Sequence, residues 1–412
     1  MLCWLLLATL VNAQPQELSL SGFGTLGVVS SDSKQYGYRT DLAKNKGSFN
    51  DTPHYANSVL GLQLDYPLHA NTDLIFQSVY NNQDTLSLDT TTKLAFVRHT
   101  ANPNWSLRAG RTALDLFLLT EYRDVGFGYV WAHTPSEVYG LVPYRYLDGI
   151  DVTHSLKINR LNLRSKLFTG TSSADFTSYE NSESVKLNNL IGLSFNLESS
   201  HWSLQYRYTS AHVANELQST ERIISGLKAL EKSVPSFDSI WPNSDATITS
   251  LRLKGRNGSY MSLGGKYDWQ RWSALAELAR VRPTSSFNTV TSGYASMIYY
   301  SQRFSLYGIY SATHSHIFDI NTLGIDLITL SSIPAGAEIY AGVDANLNIY
   351  STSQSTWSLG GRWNLSPSLA LKCQWDRTHI HSQGDVLWLN KHAASAPQET
   401  VNTLFFSLSF IF

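Results

Sequence analysis

Residues 403–412, TLFFSLSFIF, decide the fold of this chain. One set of alternate positions in this stretch is entirely apolar: Leu404, Phe406, Leu408, Phe410 and Phe412. The positions between them include Thr403, Ser407 and Ser409. A period of two residues is typical of a β-strand whose two faces meet different environments. The chain therefore ends in an amphipathic strand.

The same alternation recurs along most of the chain. In Ser200–Ala211, the residues on one face include Trp202 and Leu204, and those on the other include Gln205 and Arg207. No segment after the N-terminus has the roughly 18 to 20 continuous apolar residues of a spanning helix. Among strand structures, only a closed barrel crosses a membrane. Because Arg and Lys recur on the polar face, an aqueous barrel interior is favoured over the alternative, a secreted β-sandwich or β-helix.

Composition excludes one class of partner. The chain has 412 residues, 15% of them charged, and a net charge of -1. A soluble domain has nearer a quarter of charged residues, and a nucleic-acid-binding surface needs an excess of Lys and Arg. We therefore expect no nucleic-acid partner. The length allows one large β domain or two to three smaller ones.

Residues 1–13 have the pattern of a secretory signal. An apolar core from Leu5 to Val11 is followed by small residues up to Ala13, after which we expect cleavage. The basic residue expected at the start is missing, so either the signal is weak or the true start lies upstream. The alternative is a buried N-terminal helix. Cleavage removes Cys3 and leaves Cys373 alone, so no intramolecular disulfide forms.

On these residues the chain resembles the Gram-negative outer-membrane porins over positions 14–412. The most specific stretches are residues 106–111, 124–131 with 137–140, and 370–376. The resemblance implies a trimeric barrel in the outer membrane, surrounded by lipid, with its third loop folded inside. It also implies that Phe412 and Phe410 form the signal read by the barrel-insertion machinery.

Turns predict the number of strands. Bacterial barrels have short periplasmic turns and long outer loops. Seven short turns are expected: Tyr66 to Thr72, Thr100 to Asn104, Asn159 to Arg160, Leu197 to His201, Asp268 to Arg271, Tyr300 to Arg303 and Leu365 to Ser368. With a first strand near Leu18 to Val29 and a last one near Val401 to Phe412, the prediction is an all-β, up-and-down antiparallel barrel of 16 strands with both ends in the periplasm.

Two segments leave the count open. Asn257-Gly258 could form a tight hairpin, but even positions stay inward from Arg252 through Lys254 to Lys266, which favours one long strand from Thr247 to Asp268. An extra hairpin within Thr322 to Tyr350 would give 18 strands.

Most long connections are expected to be solvated outer loops: residues 30–55, 170–186, 314–354 and 381–400. Glu216 to Lys232 differs, because Ile223, Leu227 and Leu230 follow helical spacing. We interpret it as a short helix in an outer loop, with a lid over the pore mouth as the alternative.

Residues 112–148 are the candidate functional segment, because they are too long for an ordinary connection and rich in aromatic side chains. The resemblance implies that they form the constriction loop. Their five acids and two bases give a local net charge of -3. The predicted constriction residues are Asp115, Glu121, Asp124, Arg108, Arg111 and Arg123. Of these, Arg108 and Arg111 either line the waist or clamp the loop's carboxylates.

Inward strand positions carry mostly the opposite charge. The predicted pore wall consists of Lys157, Arg164, Lys166, Arg207, Arg252, Lys254, Lys266, Arg362 and Lys372, with Asp151, Glu277 and Asp376 as opposing acids. An acidic loop facing a basic wall would create a transverse field that orients dipolar solutes.

The predicted function is a porin that lets small hydrophilic solutes and ions diffuse through a water-filled barrel. The alternative is a channel specific for anions, sugars or dicarboxylates. A siderophore transporter is disfavoured because no plug domain precedes the barrel. An outer-membrane enzyme is a weaker alternative, since no nucleophile, zinc-protease or phosphate-loop motif occurs. The pairs His314/His316 and His379/His381 lack further metal ligands, so no catalytic residue, metal or cofactor is predicted.

Overall fold

The computed structural model describes residues 17–50, 55, 57–81, 87–178, 182–282, 289–348, 351–391 and 397–412. The secretory signal predicted for residues 1–13 lies outside the described residues.

Sixteen antiparallel strands form one closed barrel. They are β1 (Ser19–Ser31), β2 (Val59–His69), β3 (Thr72–Tyr80), β4 (Thr92–Asn102), β5 (Trp105–Ala113), β6 (Tyr146–Ile158), β7 (Leu161–Thr177), β8 (Ser182–Glu198), β9 (Trp202–Val213), β10 (Asn257–Trp269), β11 (Trp272–Arg282), β12 (Val290–Tyr300), β13 (Phe304–Ser315), β14 (Thr352–Ser366), β15 (Leu369–Asp385) and β16 (Glu399–Ile411). Each pairs with its sequence neighbours, and β1 pairs with β16. The predicted all-β barrel of 16 strands is confirmed.

Where β1 pairs with β16 and closes the barrel, two glycines of β1 lie under the C-terminal phenylalanine rings. The Gly22 amide donates to the Phe412 carbonyl at 2.9 Å. A Cβ atom on Gly22 would lie 2.3 Å from the Phe412 ring, and one on Gly24 would lie 2.4 Å from the Phe410 ring. Only glycine allows these rings to lie flat on the strand at the seam.

The start of β1 at Ser19 and the C-terminal Phe412 lie at the end of the barrel that carries the short turns. The seven turns occur where the sequence predicts them, for example between Ile158 and Leu161 and between Trp269 and Trp272. Asn159 and Gln270, in these two turns, have φ values of 56° and 51°, and asparagine tolerates this left-handed region better than most residues. The opposite end of the barrel carries the long connections, and we call it the long-loop end.

Alternation along the strands separates the two faces of the wall. Outward positions are exposed and apolar, such as Leu204, Leu278 and Trp357, with exposed fractions of 47%, 64% and 62%. Inward positions include buried Ser296 and Thr356. An apolar outer belt with aromatic residues suits a lipid environment.

The predicted solvated loops 30–55, 170–186 and 381–400 are wrong. Tyr36–Tyr38 and Trp388–Asn390 pair in a separate two-stranded sheet, and Tyr36 and Leu389 are buried. Most of residues 170–186 extend β7 and β8. The first and last loops pack on each other because their apolar side chains would otherwise meet water.

Helices occur only in the long connections of the described chain. They are α1 (Leu88–Thr91), α2 (Ser136–Tyr139), α3 (Gln218–Ser233), α4 (Phe237–Ile240), α5 (Ser244–Leu251), α6 (Leu327–Ser331) and α7 (Gly336–Leu347), with 3-10 turns at Thr120–Tyr122, Gly126–Gly128 and Ile320–Leu323. Among the described helices, none is long and apolar enough to cross a membrane.

Helices α3 to α7 form a helical cap at the long-loop end. Leu227, Trp241, Leu330 and Val343 pack in one fully buried apolar cluster. Helix α3 occupies the segment predicted as helical from Glu216 to Lys232. The solvated loop predicted for residues 314–354 is wrong, and so is the alternative of an extra hairpin there, because α6 and α7 bury their apolar faces in the cap.

Arg252 and Lys254 are not pore-wall residues, which corrects the long strand predicted from Thr247 to Asp268. Arg252 follows α5, and Lys254 lies in a turn before β10 begins at Asn257. Gly255 in that turn has a φ of 80°, which interrupts a strand. Burial of Ile248 and Leu251 in the cap overrides the alternation of the segment.

Candidate functional site: the loop inside the barrel

Residues 114–145 connect β5 to β6 and lie inside the barrel; we call them the inner loop. Leu116, Phe117, Trp131 and Tyr139 of this loop are at most 2% exposed. The Trp131 indole donates to the Ser296 hydroxyl of β12 at 3.0 Å. The loop therefore crosses the lumen to the opposite wall.

Asp115 fastens the start of the inner loop to the wall. Its carboxylate accepts hydrogen bonds from Lys166 of β7 at 3.0 Å, from Arg207 of β9 at 2.7 Å and from the Ser194 hydroxyl of β8 at 2.8 Å. Burial alone would raise the pKa of Asp115, but the two cations hold it well below its usual range. The carboxylate is therefore ionised and spans three strands.

Arg145, at the end of the inner loop, forms ion pairs with the middle of that loop and with the first long loop. Arg145 donates to Asp124 at 2.6 Å and to Asp41 at 2.5 Å. Burial acts to raise the pKa of Asp124 and of Asp41, but Arg145 and neighbouring cations lower both. Arg123, the next predicted constriction residue, lies over the Phe117 ring and donates to the Tyr139 carbonyl.

Two predicted wall bases hold backbone carbonyls of the loop. Lys372 of β15 is 1% exposed and donates to the carbonyl oxygens of Gly126, Tyr129 and Trp131 at 2.5, 2.7 and 2.8 Å. Arg362 of β14 donates to the Phe127 carbonyl at 2.7 Å. These bases act as clamps on the loop.

Two acidic side chains of the barrel wall, Glu277 and Asp376, accept hydrogen bonds from the inner loop. Glu277 of β11 accepts from the Leu118 amide and from the Tyr139 hydroxyl, each at 3.0 Å. Asp376 of β15 accepts from His133 at 2.7 Å. Burial acts to lower the pKa of His133, but the Asp376 carboxylate outweighs it and raises the pKa.

Glu137 of the inner loop is buried and is hydrogen-bonded to uncharged side chains of the wall. It is 2% exposed and accepts from Ser311 at 2.8 Å and from the Gln354 amide at 2.7 Å. Its oxygens are therefore satisfied by the wall rather than by solutes.

Arg108 points into the barrel, and Arg111 points out of it. Arg108 binds Asp151 at 2.9 Å. Arg111 binds Asp148 at 2.7 Å and Asp89 at 2.9 Å. Arg111 pairs with Asp148 across β5 and β6, and the next pair along these strands is Thr112 with Leu147. Thr112 and Leu147 are each 1% exposed. Leu147 belongs to the apolar core that also contains residues of the inner loop, so this pair points inward.

Neighbouring pairs point to opposite faces of a sheet, so Arg111 does not line the constriction; the structure shows the alternative, a clamp on a carboxylate of residues 112–148. Its guanidinium lies over the Tyr146 ring, 3.8 Å from the centroid, and clamps Asp148 on the outer face.

Four predicted charges remain open to water. Glu121 of the inner loop is exposed, and no ion pair of Glu121 occurs within the described part of the chain. Lys157 and Arg164 are exposed near the short-turn end. Lys266 pairs with Asp268 at 2.9 Å, with both side chains more than 40% exposed.

The predicted transverse field between a free acidic loop and a free basic wall therefore needs correction. Asp115 and Asp124 touch their counter-charges instead of facing them across water. Close contact is favoured because each buried carboxylate would lose hydration without a partner. Only the exposed charged side chains can contribute to an electric field across the water of the lumen.

A polar cavity of about 290 Å³ lies beside the inner loop on the side of the first long loop. Asp41, Lys44, Lys93 and Arg145 line it together with Asn81. A smaller cavity of about 70 Å³ shares Lys44, Asn81 and Arg145 and reaches Asp124. Because the two cavities share these lining residues, we call them together the polar path; the larger one also borders β6, β7 and β8 through Tyr146, Ser173 and Ser184.

Sequence reasoning missed Asp41, Lys44 and Lys93 as lining residues. Asp41 and Lys44 lie in a segment that was expected to be a solvated loop. Lys93 lies where β4 shifts its register against β3, so alternation gives no guide to its direction. Lys93 donates to the Thr90 carbonyl at 2.9 Å, and in the described ranges it forms no ion pair.

The histidine pairs do not complete a metal site. His379 and His381 lie in edge contact, with ring centroids 4.6 Å apart. Within the described residues, no group of three or more His, Cys, Asp or Glu side chains is placed to hold a metal ion.

No protein-family model matches the sequence, and no curated protein matches it. Solved structures match it by shape. The outer-membrane channel DcaP of Acinetobacter baumannii is similar with a TM-score of 0.53 and 10% identity, over 96% of this chain and 97% of that one.

Two further structures agree. The anion-selective porin from Comamonas acidovorans has a TM-score of 0.51 and 12% identity, over 96% of this chain and 100% of its own. OmpT of Vibrio cholerae has a TM-score of 0.51 and 8% identity, over 97% and 99%. The resemblance to porins is therefore confirmed for the fold: this chain has the 16-stranded barrel architecture of outer-membrane porins.

Proposed function

We propose that this protein is an outer-membrane porin, a passive diffusion channel for small hydrophilic solutes and ions. The observation that carries the proposal is the inner loop held across the lumen of a closed barrel, with a polar path of two cavities beside it. A loop that narrows a barrel leaves a passage whose width and charge select solutes.

The chemistry of the path suits hydrated solutes. The path is lined by acidic side chains, such as Asp41 and Asp124, and by basic side chains, such as Lys93 and Arg145. Confined charges are screened less than charges on an open surface. Solutes pass without any bond being made or broken, so no catalytic step is assigned to the chain.

The apolar outer belt supports placement in the outer membrane of a Gram-negative bacterium, with the short turns and both ends in the periplasm. Residues 1–13 act as the export signal in this proposal, and Phe410 and Phe412 as the insertion signal. Three copies assemble in the membrane. Chemical cross-linking and unheated gel migration test the trimer, which a single-copy species at every protein concentration would contradict.

A channel with a preference for anions is the second candidate. The specific observation is Lys93, which lines the polar path and hydrogen-bonds to a carbonyl. Three of the four acids that line the path are paired with arginines: Asp41 and Asp124 with Arg145, and Asp89 with Arg111. Within the described residues no carboxylate forms an ion pair with Lys93, so this cation can attract an anion.

Single-channel recording in planar bilayers tests the function. We expect discrete conductance steps, and a reversal potential in a salt gradient that reports the charge preference. Liposome swelling should show faster entry of small than of large sugars. A folded, inserted barrel that neither conducts ions nor admits sugars would contradict the proposal.

A further inference from the structure

A third cavity inside the barrel is apolar, unlike the two that form the polar path. It has a volume of about 140 Å³ and lies between the inner loop and the inward faces of β7 to β12. Its wall includes these aliphatic side chains: Leu116, Leu141, Val142, Val185, Leu190 and Val213. We call it the apolar cavity.

The apolar cavity begins where the charged anchor of the loop ends. Along β9, which runs toward the long-loop end, the inward side chains are Arg207, then Thr209, Ala211 and Val213. Arg207 holds Asp115, and the later three line the cavity. The inner face of the wall therefore changes from charged to apolar within six residues of one strand.

This change is not what a water-filled lumen requires. Inward positions of a channel are normally polar because they face water. An apolar face inside a barrel can pack against an inner loop, but here the loop and the wall leave the space between them unfilled. An empty apolar space lowers stability because its lining loses packing contacts.

We propose that the apolar cavity binds a small neutral aromatic molecule with a single ring. An engineered cavity of about 150 Å³ lined by Leu, Ile and Phe stays dry and binds benzene. This cavity has nearly the same volume and a mostly apolar lining, whose polar members include Thr209, Ser259, Tyr260 and Arg282. A charged solute is excluded because it would lose its hydration against aliphatic side chains.

The inference rests on the proposed channel function and extends it to a solute class. The cavity lies in the half of the barrel nearer the long-loop end, with Ser259 and Arg282 at the strand ends on its rim. The barrel thus offers a polar path and an apolar binding site, both of which border the inner loop and strands β7 and β8.

Crystals of the purified full-length protein soaked with bromobenzene test the proposal, because the bromine gives an anomalous signal at a defined place. We expect a peak between Leu116 and Val213. Direct localisation separates binding in the cavity from partition into detergent.

Two variants and one control complete the test. Ala211→Phe and Val213→Phe fill the cavity from β9 and should abolish the peak, whereas Ser210→Phe adds the same side chain on the outer face and should keep it. Heat-modified gel migration shows which variants are folded. A wild-type crystal without the peak, or an equal peak in a folded Ala211→Phe barrel, would overturn the inference.

Single-channel conductance of the same wild-type preparation separates the two proposals. Normal conductance without a bromine peak removes the aromatic site and leaves the channel. A bromine peak in a barrel that does not conduct supports the site and contradicts the channel.

Discussion

Asp115 and Arg207 lie 92 residues apart in the chain, and their side chains meet at 2.7 Å. With Lys166 at 3.0 Å, they form a buried group of two cations and one carboxylate. The inner loop is therefore held by charge at the point where it leaves the wall of the barrel.

Replacing Asp115 with Asn should destabilise the folded barrel strongly. Removing one partner of a buried ion pair costs about 3–5 kcal/mol, because the remaining charge stays buried without compensation. Urea unfolding of the refolded protein measures the change. Asp268→Asn is the matched control, since the exposed pair of Asp268 and Lys266 should contribute only about 0–1 kcal/mol. Equal losses in both variants would contradict a special role for Asp115.

The pair His133 and Asp376 should make stability depend on pH. The pKa of His133 is raised in the folded state, so the folded protein holds this proton more tightly than the unfolded chain does. Its contribution is complete below the ordinary histidine pKa of about 6.5 and is lost as the pH rises through the folded value.

Melting temperatures between pH 5 and pH 9 measure this effect. We expect the wild type to lose stability with rising pH over the upper part of that range. The variant His133→Gln should lose much of that slope, and His379→Gln, on the outer face, should keep it. An unchanged slope in His133→Gln would count against the assignment.

Glu121 should contribute to charge selectivity without a structural role. It is exposed within the loop, so Glu121→Gln should shift the reversal potential toward anions and leave the melting temperature within about 2 °C of the wild-type value. Neutralising Asp115 or Asp124 would shift selectivity too, but would also free buried arginines. The same reversal potential in wild type and Glu121→Gln would show that the residue does not influence permeating ions.

Lys372→Met should loosen the inner loop. The change removes the Lys372 donor from the buried carbonyl oxygens of Gly126 and Trp131, whereas the Tyr129 carbonyl keeps Arg362. An unsatisfied buried acceptor costs about 1–3 kcal/mol. A displaced loop should raise single-channel conductance and let larger sugars into liposomes. Lys266→Met, at an exposed site, serves as the control. A conductance and sugar cut-off equal to the wild type would mean that the other clamps suffice.

Phe412→Ala should impair membrane insertion more than folded stability. The Phe412 side chain is 62% exposed, so its loss removes few contacts. We expect a several-fold lower yield of inserted barrel in cells and a melting temperature close to the wild type after refolding in detergent. A normal cellular yield would contradict the insertion signal.

The barrel could be predicted from the sequence because the patterns that determine its strands and turns involve only neighbouring residues. A period of two, as in Ser200–Ala211, and turn residues such as Asn159 act over a few neighbours, and together they fix strand number and direction. The segment of α5 shows the limit. Its Thr247, Ile248 and Thr249 suit a strand, but the cap formed with a distant loop buries them as a helix.

The candidate site was predicted by residue type more than by arrangement. Alternation correctly turns Arg207 and Lys372 inward. It says nothing of what they meet, because Asp115 and the carbonyl of Gly126 come from a loop with no periodicity. Net charge suggested a free acidic loop, whereas the cost of burying single charges brings these groups into contact.

The clamps on the inner loop also impose an order of assembly. The loop leaves the wall after β5, but its anchors lie on β9, β11 and β15 through Arg207, Glu277 and Lys372. Strands that appear later in the chain must be in place before the loop has all its partners. The inner loop therefore gains its full set of partners only in the closed barrel, and a barrel that lacked β15 would also lack a fully anchored loop.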